Sequence, residues 1–352
     1  MNINFLQKTL SAGEGYIITS PENRRYFTSF ESSDGYLIVT SDESVFLTDS
    51  RYIEAAHNQV TGCTEVAMLV SLSEQLPEYI GKLGITKLYT EAEKLSVYDF
   101  NKISSVSGCE TLAEKTDEAV STLRRIKSQE EKNLILAAQG IAEKAFDHIL
   151  GFISTDKTEK EVALELDFFM LRNGASAVSF ETIAVSGANS SMPHGVPSDK
   201  KLENGDFLTL DFGAVFGGYH SDMTRTVAIG QISSKQAEVY ETVLNAQLAS
   251  LASLKAGISG VDADKAARDI IRNAGYGDFF GHGTGHGVGI EIHEAPRLSP
   301  KSKAILECGD VVTVEPGIYL PGEFGVRIED MAFITENGCE NLTKTQKSLI
   351  IL

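Results

Sequence analysis

Two stretches of this chain, GDFLTLDFGAV at 205–215 and GDVVTVEPGIY at 309–319, carry Gly, Asp, Thr, an acid and Gly in the same order, 104 residues apart. The elements upstream recur as well. Ser128-x-x-Glu131 and Ser233-x-x-Gln236 have the spacing of helix-opening capping boxes. A second helix is expected to begin near Thr158 in one half and near Asp262 in the other. Each half therefore reads as helix, helix, then strands closing in a hairpin. A duplicated domain of this kind places two sheets together with helices outside.

Both hairpins carry acids in apolar runs. In LTLDFGAVFGGYHSDMTRTVAI a turn at Phe216–Gly217 sets Asp211 opposite Asp222, whereas a turn at Gly217–Gly218 sets the two diagonally; either register keeps them on one face. In VVTVEPGIYLPGEFGVRIEDMAF, Glu315 and Glu329 are equidistant from Gly322. Like charges across a strand pair destabilise it unless a cation compensates them. An acidic solvated hairpin explains one such pair. Two in corresponding positions, flanked by apolar residues, favour a cation. Four carboxylates with an imidazole suit a pair of divalent ions such as Mn, Co, Zn or Fe. Two ions about 3.5–4 Å apart can share a bridging water and render it a hydroxide near neutral pH, which is hydrolytic chemistry.

The stretch GHGTGHGVGIEIH at 281–293 places glycine at 281, 283, 285, 287 and 289 and histidine at 282, 286 and 293. Every start fails the dinucleotide pattern G-x-G-x-x-G, and no Walker lysine follows. Five interior glycines would cost a helix about 4–5 kcal/mol, which disfavours a helical histidine pair. The period of two predicts an extended strand with one bare face, against which something else would lie close. On such a strand His282 and His286 are about 13 Å apart, at roughly 3.3 Å per residue. They cannot share one ion when a metal–nitrogen bond is about 2 Å.

The 352 residues suit two domains. The net charge of −18 argues against nucleic acid or anionic membrane as partner. Cys63, Cys109, Cys308 and Cys339 are scattered without C-x-x-C spacing, as expected of reduced thiols in a cytoplasmic protein. Neither a signal peptide nor a membrane-spanning run is visible. In the first ~120 residues, YIITS, GYLIVT, SVFLTD and EVAMLV read as strands, and RYIEAAHNQ and SLSEQLPEYIGKL as helices, giving a small α/β domain. TDEAVSTLRRIKSQEE marks the boundary and is expected to run into a long helix.

LDFG, HSDMTRT, GHGTGHGVG, VEPGIY and GVRIED together resemble the signatures of the pita-bread metallopeptidases, nearest to the Xaa-Pro aminopeptidases (aminopeptidase P) and prolidases. The resemblance implies an α/β (α+β) chain with a creatinase-type N-terminal domain over 1–122 and a pita-bread catalytic domain over 123–352. It implies two metal ions, manganese foremost, held by Asp211, Asp222, His286, Glu315 and Glu329, with Asp222 and Glu329 bridging. Glu315 would also accept a proton, and His194 and His293 would stabilise the oxyanion. His194, His282, His293 and Tyr319 would contact substrate, and Arg327 would support catalysis. The implied activity is removal of the residue before a proline at the second position of peptides. A prolidase restricted to dipeptides is the alternative. Methionine aminopeptidase, creatinase and a non-catalytic peptide-binding module fit less well, the last two because all five ligand positions are filled. Dimers or tetramers are common in the family.

Overall fold

A computed structural model describes residues 3–352. The chain divides into two compact units, Met1–Arg124 and Arg125–Leu352. No helix among the described residues is long and apolar enough to cross a membrane.

The first unit is built on one six-stranded mixed sheet, in the order Glu65–Met68, Ser44–Thr48, Tyr36–Val39, Glu14–Ile18, Lys87–Thr90 and Glu110–Leu112. The four strands expected from their apolar runs are present. The last two were not expected. They are four and three residues long, and too short to show a period. Ile17, Ile38, Val45, Leu47 and Leu88 pack under Leu76 and Ile80 of the helix Leu72–Lys82.

The second unit bears out the duplicated order of elements. Helices Gln129–Ile149 and Glu159–Arg172 open one half, and Ser234–Ser253 and Gly260–Asn273 the other. Ser128 and Ser233 cap the first helix of each half in full capping boxes, each cap stabilising its helix by about 1 kcal/mol. The boundary helix, Thr116–Arg125, does not run on as expected: a new helix starts at the Ser128 cap. The side chain that makes a good N-cap is what separates the two.

Behind the first pair of helices, Phe146, Val162, Leu166 and Met170 pack on Leu208, Leu210, Phe212 and Val227 of a three-stranded sheet, Met223–Ala228, Phe207–Phe212 and Ile183–Ser186. The second half supplies a five-stranded sheet containing Gly285–Gly287, Val311–Val314 and Asp330–Ile334, together with the hairpin Gly317–Leu320/Phe324–Arg327. The halves meet along their acid-bearing strands, where Glu329 N donates to Thr224 O at 3.1 Å and Thr226 Oγ1 to Arg327 O at 3.0 Å.

Turn chemistry sets both hairpin registers. Gly217 and Gly218 hold positive φ of 58° and 83°, as a primed two-residue turn requires. Asp211 therefore pairs with Thr224, and Asp222 lies diagonal to it. In the other half, the Val314–Asp330 and Gly317–Arg327 pairs share one register, which sets Glu315 opposite Glu329 in the gap between the ladders.

The extended strand expected across 281–293 shrinks to Gly285–Gly287, with a register shift after His286. Upstream, side chains of the helix Gly260–Asn273 claim the backbone: Thr284 N donates to Asp264 Oδ1 at 3.1 Å, and Arg268 Nη2 to His282 O at 2.7 Å. The glycines mainly seat neighbouring protein rather than a peptide. A Cβ would stand 2.0 Å from Thr313 O at Gly285 and 2.2 Å from Ala295 O at Gly287, yet would meet nothing within 4 Å at Gly281. Gly285→Ala or Gly287→Ala is thus expected to lose about 1–3 kcal/mol in urea melts by overpacking. Gly281→Ala should stay within about 0.5 kcal/mol of the parent. Equal effects at the three positions would contradict this packing.

Candidate metal centre

The two hairpins deliver their acids to one cavity. Asp211 stands near the end of Phe207–Phe212, Asp222 just before Met223–Ala228, Glu315 just after Val311–Val314 and Glu329 just before Asp330–Ile334. His286 is the middle residue of Gly285–Gly287. All five line a cavity of about 500 Å³, with His194, His282, His293, Arg297 and Arg327 on its walls. Asp222, His286 and Glu329 each offer a ligand atom within 4.8 Å of the others. His286 Nε2 lies 3.3 Å from Glu315 Oε1 and 3.5 Å from Asp222 Oδ2.

The donor count at this cluster falls short. His286 Nδ1 is 3.0 Å from Gly287 O, which can only accept, so Nδ1 carries the proton and Nε2 presents its lone pair to the acids. Burial lowers the His286 pKa to about 3, so the ring is neutral at physiological pH. Asp211 Oδ2 is held by Arg327 Nη2 and Glu329 Oε2 by Thr224 Oγ1 at 2.7 Å, but Asp211 Oδ1 and Glu329 Oε1 are buried with no hydrogen-bond partner. Burial, then the charges of neighbouring acids, pushes Asp222 and Glu329 well above the usual carboxylate range. Burial also raises Glu315 to about 7, against the pull of Arg327. Acceptors converging without donors are what a divalent cation satisfies, and this oxygen-rich set with one imidazole fits such ions.

The other expected residues fall into two groups. His194 and His293 are exposed at the cavity wall, and the His293 ring stands edge-on to His286 with centroids 4.4 Å apart. Burial and the Arg297 charge lower the His293 pKa. Tyr319 does not line the cavity; it is buried behind it. Its hydroxyl receives Arg327 Nη1 at 2.8 Å and donates to His282 Nε2 at 2.9 Å, while His282 Nδ1 donates to Gly283 O at 2.8 Å. Burial and Arg327 hold His282 down to about 4, so it is neutral, and both its nitrogens are taken by protein. What it can offer a ligand is ring surface rather than a hydrogen bond.

Sequence reasoning missed Arg297, an exposed side chain on Glu294–Leu298 that lines the cavity. Nothing in EAPRL distinguishes it from a solvated arginine. It also missed two supporting threonines. Thr224 serves Glu329, and Thr313 bonds both Glu315 Oε1, at 3.1 Å, and His286 N, at 3.0 Å. Thr313 is the repeated threonine of the duplicated motif, and that recurrence was the available signal.

The model of metallopeptidase family M24 matches residues 133–336, and that of the creatinase/prolidase N-terminal domain matches residues 8–126. The chain is 47% identical over 339 residues to an uncharacterized peptidase of Bacillus subtilis, covering 96% of each. Its fold matches the structure of an Xaa-Pro dipeptidase from Bacillus anthracis with a TM-score of 0.96 and 42% identity, covering 100% of this chain and 99% of that one. It also matches an X-Pro aminopeptidase from Thermotoga maritima with a TM-score of 0.92 and 37% identity, covering 99% and 100%. The chain belongs to metallopeptidase family M24, with a creatinase/prolidase-type domain preceding the M24 domain.

Glu315 gives the metal-free protein a pH signature. With its pKa raised from 4.5 to about 7 on folding, the native state binds more protons than the unfolded chain between those values. Its stabilising contribution is complete below pH 4.5 and is lost as pH rises through 7. Chelated wild-type protein should therefore lose more thermal stability between pH 5 and pH 8 than chelated Glu315→Gln. Parallel pH profiles would contradict the assignment.

Proposed function

We propose that the protein is a metal-dependent Xaa-Pro aminopeptidase that hydrolyses the bond between the N-terminal residue and a following proline. The observation that carries the metal site is the neutral His286 Nε2 facing Asp222 and Glu315 in a cavity where Asp211 Oδ1 and Glu329 Oε1 lack partners. In this proposal Asp211, Asp222, His286, Glu315 and Glu329 would hold two divalent ions. Manganese is the proposed metal. Bound there, such ions supply Lewis acidity and lower the pKa of water to near neutrality. The preference for proline is supported by the names of the relatives in structure, not by any single residue.

Each side chain has a stated task in this reading. Glu315, which lines the cavity beside His286, takes the proton given up by the attacking water. His194 and His293 face the scissile carbonyl from the wall and stabilise the negative charge that develops on its oxygen. Arg327 fixes Asp211 from one side and, through Tyr319, His282 from the other, so one cation orients a ligand and a wall residue together.

A prolidase acting on Xaa-Pro dipeptides is the second reading, favoured by the 42% identity to the Xaa-Pro dipeptidase over the whole chain. The metal centre serves both. Comparing kcat/KM on Xaa-Pro-Yaa tripeptides and Xaa-Pro dipeptides separates them; turnover of tripeptides is expected, and its complete absence would leave the prolidase. A homodimer or homotetramer in the cytoplasm belongs to the same proposal, and light scattering measures the assembly.

Loss of one ligand is expected to exceed the roughly 10–100-fold cost of removing a ligand's supporting partner. Asp222→Asn and His286→Ala should each lower kcat/KM by more than about a hundredfold and reduce the metal content found by elemental analysis. Full metal-dependent activity in either variant would sink the site.

A further inference from the structure

The cavity wall that carries His194 is irregular chain. After Ile183–Ser186 and a single 3-10 turn, Gly187–Ser191, no strand or helix forms until Phe207–Phe212. Within that segment Pro193, His194, Gly195, Val196 and Pro197 line the cavity, with Val196 74% exposed. A wall of this kind needs an anchor outside its own backbone.

Glu159, the first residue of Glu159–Arg172, is fully buried at 0% exposure. Its Oε1 accepts from Ser186 N at 2.6 Å, Ser186 Oγ at 3.0 Å and Asn189 Nδ2 at 3.1 Å. Its Oε2 accepts from Ser198 N at 3.0 Å, Ser198 Oγ at 2.7 Å and Asn189 Nδ2 at 3.2 Å. One carboxylate thus ties together the residue before the segment, its turn and the residue just beyond its cavity-lining part. From the opposite side, Arg327 Nη1 reaches Pro193 O at 3.2 Å and Gly325 N donates to Ser190 Oγ at 2.9 Å. The other half uses the same device. Buried Asp264, near the start of Gly260–Asn273, accepts from Thr284 N at 3.1 Å and Thr284 Oγ1 at 2.9 Å, two residues after His282.

We propose that Glu159 is a positioning residue for the reaction: it clasps the 186–198 segment so that His194 is presented to the peptide, although Glu159 itself touches neither substrate nor metal. The catalytic consequence rests on the peptidase reading above; the clasp itself does not. A carboxylate is the group the geometry demands, because every contact is made by a donor. Glu159→Gln keeps the shape but turns an amide NH2 against converging N–H and O–H groups.

Hydrogen exchange on Glu159→Gln and wild-type protein tests the clasp without reference to activity. Amides of 186–198 are expected to exchange at least about tenfold faster in the variant, while Val311–Val314 stays as protected as before. Unchanged exchange in 186–198, or equal loss across both regions, would overturn the proposal. Kinetics then test its consequence. Glu159→Gln should raise KM for the peptide several-fold at unchanged Mn2+ affinity. His194→Ala should cost less in the Glu159→Gln background than in wild type, since the two act through one segment. Strictly multiplicative effects would overturn the link to His194, whereas a wild type inactive on Xaa-Pro peptides would refute the peptidase reading and leave the exchange result standing. Ser198→Ala removes one clasp donor with little risk to folding, and should show the same pattern at smaller amplitude.

Discussion

Acceptors that face one another without donors constrain this structure more than any other contact. An unsatisfied buried polar group costs about 1–3 kcal/mol, and more when charged. Here Asp211 Oδ1 and Glu329 Oε1 lack partners, and the His286 lone pair points at Asp222 and Glu315. The surroundings hold this arrangement rather than relieve it. Thr224, Thr313 and Arg327 each bond one oxygen of a different acid, which fixes the orientation of Glu329, Glu315 and Asp211. Without a cation, protons take its place, as the raised pKa values of Asp222, Glu315 and Glu329 indicate.

Duplication explains how a chain assembles such a costly cluster. Each half contributes a hairpin whose register is set by its turn, and the halves join along the strands that carry the acids. The cluster therefore sits on strands and on the residues that directly flank them, where neighbouring ladders hold geometry tightly. The irregular parts, the segments bearing His194 and His282, are tied down by a buried acid near the start of the second helix in each half. Arg327 joins the two systems. It contacts Asp211, Tyr319 and Pro193 O, so it connects the acid cluster to both walls.

The repeat, the capping boxes and the paired acids could be read from the sequence because each rests on local spacing. The hairpin acids are a clear case: residue counting from the turns placed Glu315 opposite Glu329 and left two registers for Asp211 and Asp222, between which the positive φ of Gly217 and Gly218 decides. Features set by tertiary partners were not readable. The glycines at 285 and 287 look like a bare face awaiting a ligand, but Thr313 O and Ala295 O fill the space. Tyr319 looks like a substrate contact, and its hydroxyl is consumed by Arg327 and His282. Arg297 carries no sequence signal at all, since only the cavity it lines sets it apart from other exposed arginines. The strands Lys87–Thr90 and Glu110–Leu112 are too short to show a period, and what identifies them is their parallel pairing, the first with Glu14–Ile18 and the second with the first.

The central claim is that the cluster of Asp211, Asp222, His286, Glu315 and Glu329 is a two-ion site. A crystal structure of the Mn2+-loaded protein, with anomalous scattering recorded near the manganese edge, tests it most directly. The account predicts two anomalous peaks in the cavity, both in contact with Asp222 and Glu329 and one of them with His286. A cavity without anomalous signal at saturating Mn2+, or ions bound away from these carboxylates, would contradict it.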